Sequence, residues 1–134
     1  MVALTKDRDT QRKSDPTLLS FPVKAATTIF AGSLVVNDAG VAAPGRTATT
    51  LKALGRAEAN VVNAGAAGDL NVPVKRGVFR FANSAAGDLI ALTEVGANCY
   101  IVDDQTVAKT DGTGTRSIAG IVRDVDASGV WVEI

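Results

Sequence analysis

Beyond residue 17 the chain alternates short apolar runs with clusters of Gly, Asn, Asp and Pro. The runs are "LLSFPVK" (18–24), "SLVV" (33–36), "LKALGRAE" (51–58), "NVPVKRGVFRF" (71–81), "CYIVDD" (99–104), "SIAGIVRDVD" (117–126) and "GVWVEI" (129–134). Between them fall breaks such as "NDAG", "NAGAAGD", "NSAAGD" and "DGTGT". Short β-type runs at this density of turn signals predict an all-β domain, a compact small barrel or sandwich. "DASG" (126–129) predicts a hairpin with Gly129 at positive φ. Pro22 and Pro73 lack an N–H, so their strands are expected at sheet edges or to carry bulges. Val72 and Val74 share one parity and Phe79 and Phe81 the other, which predicts a slip in alternation, with Gly77 the expected bulge. "GDLIALTEVG" (87–96) is the one stretch that reads as a short helix, with Asp88 as its cap and Gly96 as its end.

Residues 1–17 break this pattern. "KDRDTQRKSD" (6–15) is mostly charged, with mixed signs, and no helical or strand periodicity runs through it. The expectation is an extended N-terminal arm over 1–17, ordered by a partner, and a single β domain over 18–134.

Composition narrows the function classes. The chain has 134 residues, 46% hydrophobic but only 4% aromatic, so its apolar content is mostly Ala and Val. Stabilisation follows buried apolar area at about 25 cal/mol per Å², so a core of small side chains is thin and gains from oligomerisation or docking. Fourteen basic residues balance 14 acidic ones, which does not suit a nucleic-acid binder. No apolar run has the length of a membrane span. A single cysteine, Cys99, excludes a disulfide within the chain, and the charged N-terminus does not read as a signal peptide; both suit a cytoplasmic site of synthesis.

The chain contains no histidine, which removes the commonest general base, the commonest metal ligand and every His-based triad. Asp103 and Asp104 point to opposite faces of a strand and match no calcium-loop spacing. Asp124 and Asp126 run into the "DASG" turn and read as turn-formers. "DGTGTR" (111–116) lacks a Walker lysine and precedes a strand, so it reads as a flexible loop. Cys99, with no histidine to activate it, reads as a buried structural thiol. Phe21, Phe30, Phe79, Phe81, Tyr100 and Trp131 are too few and scattered for a base-stacking platform and are expected in the core; Trp131 alternatively anchors an interface. Lys75, Arg76 and Arg80 either form the solvent face of an antiparallel strand or meet an acidic partner. No enzyme, cofactor or metal is indicated.

Several stretches in order carry a resemblance: "ALTKDRDTQRK", "LSFPVKAATTIFAGSLVVNDAGVAAP", "GRAEANVVN", "VKRGVFRFANSA", "VGANCYIVDDQTVAKT" and "AGIVRDVDASGVWVEI". Together they resemble the capsid decoration, or cement, proteins of Mu-like and related tailed bacteriophages, over essentially the whole chain. The resemblance implies an all-β structural protein with no cofactor, on the outside of the expanded capsid and assembled in the host bacterial cytoplasm. Its partner would be the major capsid protein, and it would act as a homo-oligomer, commonly a trimer or dimer. The expected capsid or subunit contacts are Lys6, Asp7, Arg8, Asp9, Arg12 and Lys13 on the arm, and Lys75, Arg76, Arg80 and Trp131 on the body. Two other readings stay open: a virion module that binds host-surface glycans through Trp131 or Tyr100, and a tail-tube or head–tail connector component.

Overall fold

A computed structural model describes residues 2–134. The fold is all-β and built from two packed five-stranded antiparallel sheets. The first contains β1 (Leu18–Pro22), β3 (Leu34–Asp38), β4 (Val41–Pro44), β5 (Lys52–Ala57) and β7 (Asn71–Lys75), in the order β1-β7-β5-β3-β4. The second contains β8 (Val78–Phe81), β9 (Asn98–Ile101), β10 (Val107–Ala108), β11 (Ile118–Asp126) and β12 (Gly129–Glu133), in the order β10-β9-β11-β12-β8. A small ladder pairs β2 (Thr27–Ile29) with β6 (Val61–Asn63). Each large sheet curls until its margins touch at a single parallel bridge, Val23 to Ala42 in the first and Ala82 to Thr106 in the second.

β3 joins the two cores. Leu34, Val35 and Val36 are consecutive and all fully buried, as a strand covered on both faces requires. Val35 packs with Val23, Ile29, Ala42, Val72 and Val74 inside the first sheet. Leu34 and Val36 pack with Ile101, Val122 and Val132 against the second. Phe81 is the one aromatic residue in either core. Phe79 and Phe21 are half-buried and pack against the two cores, whereas Tyr100 and Trp131 are half-buried outside them and Phe30 is 62% exposed, contrary to the core placement expected for those three from sequence. Small β-branched residues fill two narrow interiors, which leaves little room for further rings.

Two of the few buried polar side chains work as staples. Ser117 Oγ accepts from Leu51 N at 3.0 Å and donates to Ala48 O at 2.7 Å. Asn63 ties β6 to the segment where the first sheet's margins meet, through bonds to the carbonyls of Val23, Lys24 and Ala66.

The proline expectations resolve by position. β1 is an edge strand, and Pro22 sits at its end. β7 is an inner strand, yet its ladder with β5 covers only Arg56–Lys75 and Ala57–Val74. Pro73 O accepts from Glu58 N, so the proline nitrogen also faces β5 and cannot return a bond to Glu58 O; the ladder ends at this one-sided pair, without the edge position or bulge expected from sequence. The expected slip near Gly77 is real but is not a bulge. β7 and β8 belong to different sheets, and the chain crosses between them at Arg76–Gly77.

"GDLIALTEVG" does not form one helix. It makes two 3-10 turns, Ala86–Asp88 and Leu92–Glu94, with Ile90 buried between them. Asn83 accounts for the break: its Oδ1 accepts from Ile90 N and its Nδ2 donates to Ile90 O, so a side chain takes the backbone groups a helix needs. The "DASG" hairpin forms as expected. Gly129 has φ +153, Asp126 Oδ1 accepts from the amides of Ser128 and Gly129, and a Cβ at Gly129 would overlap the Phe81 carbonyl.

Candidate functional site

The arm precedes β1, and residues 2–17 are exposed throughout. Its side-chain hydrogen bonds are local: Gln11 Nε2 donates to Asp9, and Asp15 Oδ1 accepts from the amide and hydroxyl of Thr17. Lys6, Asp7, Arg8, Asp9, Arg12 and Lys13 make no salt bridge among the described residues. The arm also displays two large apolar side chains, Val2 at 92% and Leu4 at 72% exposure. In an extended segment Lys6 and Arg8 fall on one face and Asp7 and Asp9 on the other, so the mixed signs sort into a basic and an acidic side.

The body residues divide between the two sheets. Lys75 ends β7 opposite Arg56, in the first sheet. Arg76 lies in the crossover, where its amide donates to Thr17 O at 2.7 Å and holds the root of the arm. Arg80 belongs to β8 in the second sheet, directly opposite Trp131 of β12. The three basic residues are therefore not the solvent face of one strand, because the strand expected to carry them is split by the sheet crossover.

Arg80 and Trp131 form the centre of an outward-facing site. The Arg80 guanidinium stands 5.7 Å from the Trp131 ring centroid. Trp131 Nε1 donates to Asp126 Oδ2 at 2.9 Å, which locks the indole to the hairpin turn. Beside them Arg56 stacks on Phe79 at 4.3 Å, with its charge also met by Glu58. Gly32, Arg56, Val78, Phe79, Arg80 and Trp131 line a shallow groove running along β8. Guanidinium–ring contacts at such half-open sites contribute about 0.5–1 kcal/mol each, a modest bias towards this arrangement of the rings. Arg56 and Phe79 are the members that sequence reasoning missed. They come from different sheets, and no local spacing signals their meeting.

The indole bond holds the Asp126 carboxyl below its usual value of 3.8, with support from the Ser128 amide. A depressed pKa means that the tether is present above the unfolded-state value and is lost as pH falls through the folded one. Trp131 emission is therefore expected to titrate with a midpoint under 3.8, and Asp126→Asn to flatten that transition. A midpoint at or above the ordinary aspartate value would show that the indole does not hold this carboxylate.

The other acidic residues take turn roles. Asp103 accepts from Gln105 N, and Asp124 from Val125 N. No cluster of three metal-ligating side chains occurs among the described residues. The 111–116 loop is tied down rather than loose: Arg116 donates to Thr110 O and pairs with Asp88 at 3.2 Å, and Thr110 Oγ1 donates to the same carboxylate. The Cys99 side chain is buried against Gly120 O, and burial pushes its thiol up to about 12. A scan against protein-family models gives no match, and neither the curated proteins nor the solved structures give one.

Proposed function

We propose that this protein is a structural virion component that binds the outer surface of the expanded phage capsid and ties neighbouring major capsid subunits together. The observation that carries this reading is the exposed arm on a small, tightly hydrogen-bonded β body, with apolar Val2 and Leu4 presented beyond a charged stretch. Such a segment suits a contact made with another chain. The whole-chain resemblance to capsid cement proteins points the same way. The groove along β8 adds a second contact surface, rich in arginine and aromatic side chains, the types enriched at interface hot spots.

The mechanism is mass action. A protein that binds only the assembled shell stabilises it by RT ln(1 + [L]/Kd) per site, about 2.7 kcal/mol at a hundredfold excess over Kd. Repetition over many sites multiplies that gain against internal pressure. A glycan-binding role is less well supported, because Arg80 stands over the Trp131 ring that a sugar would stack on.

The test is co-sedimentation with expanded capsids and with unexpanded precursors. The full chain is expected to pellet with the expanded form alone. A version lacking residues 2–17 is expected to keep its β circular dichroism and lose most of its shell binding. Undiminished pelleting of that truncation would remove the arm from the mechanism.

A further inference from the structure

We propose that the groove beside β8 receives the N-terminal arm of a second copy of this chain, added as an extra strand on the edge of the second sheet. This deepens the functional reading and rests on its treatment of the arm as a contact segment; it names that segment's receptor. β8 is an edge strand. Gly77 and Ile134 exchange both of their main-chain bonds, at 3.3 and 2.9 Å, so by alternation Phe79 and Phe81 bond towards β12. The N–H and C=O of Val78 and Arg80 then face away, and no group among the described residues bonds them. That is an open template for one more strand.

Val78 and Arg80 project on the same face of β8, and Arg80 makes no salt bridge among the described residues. In the arm, Asp7 and Asp9 share one face of an extended chain and Arg8 occupies the other. Paired antiparallel with Asp7 opposite Arg80, the arm sets Asp9 opposite Val78 and Arg8 opposite Phe79. The carboxylate meets a guanidinium that stands over Trp131 without a salt bridge, and Arg8 takes up the kind of ring contact that Arg56 already makes.

The geometry at the arm's root favours a neighbour's arm over the chain's own. The arm's main-chain pairing with its own body ends at Thr17, whose carbonyl accepts from Arg76 N. Continuing along the body would place Pro16 opposite Gly77, and proline offers no N–H. The Asp15 carboxylate instead accepts from Thr17 and turns the chain at that point. From this root, residues 2–16 span about 50 Å when extended, enough to cross to an adjacent subunit. Donation of an arm into a groove elsewhere on the next copy is a heterologous contact, which forms a ring where the rotation between copies closes and an open chain of subunits where it does not.

Disulfide trapping tests this in the full chain. Asp7→Cys and Arg80→Cys are made as separate variants, one carrying a mass tag, and are mixed and oxidised. Buried Cys99 stays unreactive, its thiol being pushed up to about 12. The expected product is a mixed disulfide between tagged and untagged chains, in excess of either self-linked form. Absence of that product, or a D7C/R80C double variant that links only within one chain, overturns the proposal. Val78→Pro gives an independent reading, since its N–H is not used by the fold. By sedimentation velocity the unmodified protein is expected to self-associate, and V78P to do so roughly tenfold more weakly with its unfolding midpoint unchanged. A monomeric unmodified protein, or undiminished association of V78P, also overturns it. Both measurements use purified protein without capsids, so failure here is distinct from failure to bind the shell.

Discussion

Asn63→Asp is expected to cost about 3 kcal/mol or more at neutral pH, a large share of the 5–15 kcal/mol that holds a typical domain together. Asn63 is 2% exposed. Its Nδ2 lies 3.1, 3.1 and 2.9 Å from the carbonyl oxygens of Val23, Lys24 and Ala66, and its Oδ1 accepts from Gly65 N at 3.1 Å. Aspartate keeps the shape and reverses the chemistry. A carboxylate oxygen would face three carbonyl oxygens in a buried site, leaving those acceptors unpaired and a charge desolvated. The damage falls where Val23 bridges to Ala42, so the first sheet would open along its closing margin.

The pH dependence of that variant carries a sign. Burial and the surrounding carbonyls raise the folded pKa of the introduced Asp above its unfolded value of about 3.9. The protonated form can still donate one hydrogen bond, so the deficit is smallest below the unfolded pKa and grows as pH rises through the folded one. Urea unfolding of N63D and the unmodified protein from pH 3 to 7 measures this. A deficit at pH 7 under about 1 kcal/mol, the worth of one ordinary hydrogen bond, would mean that Asn63 is not the staple described.

Gly55→Ala is the second large effect, expected at about 3–5 kcal/mol as the sum of backbone strain and overpacking. Gly55 has φ +148, a region closed to residues with a Cβ. An added Cβ would also overlap the Lys75 carbonyl, lying 2.9 Å from its carbon and 3.0 Å from Val74 Cγ1. The site cannot relax cheaply. It sits at the register shift between Val35 and Val36, where β3, buried on both faces, pairs with β5. Gly87→Ala is the matched control, since a Cβ there meets nothing within 4 Å. Thermal unfolding should separate the two variants widely, and equal midpoints would refute the steric account.

Legibility from sequence followed how local each cause is. The "DASG" hairpin was readable because Asp126 and Gly129 satisfy it within one turn. The start of folded structure at Leu18 was readable because apolar alternation begins there. The supposed helix at 87–96 failed because Asn83, outside the pattern, competes for the Ile90 backbone. Phe30, Tyr100 and Trp131 were misplaced because ring burial depends on the width of the interior, which a one-dimensional pattern does not state. The same limit hid the Arg56–Phe79 contact and left Arg80 and Trp131 as separate candidates.

The sequence by itself determined the all-β class, most turn positions, the exposed arm and the absence of histidine chemistry, because each follows from residue type and short-range spacing. Tertiary structure alone decided that the 71–81 run is cut between two sheets, that β3 serves two cores, and that an arginine–aromatic groove lies beside an unpaired strand edge. Those features arise from residues far apart in the chain, brought together by curling and packing of the sheets. A period-two pattern records which face a side chain occupies; it does not record which strand lies opposite.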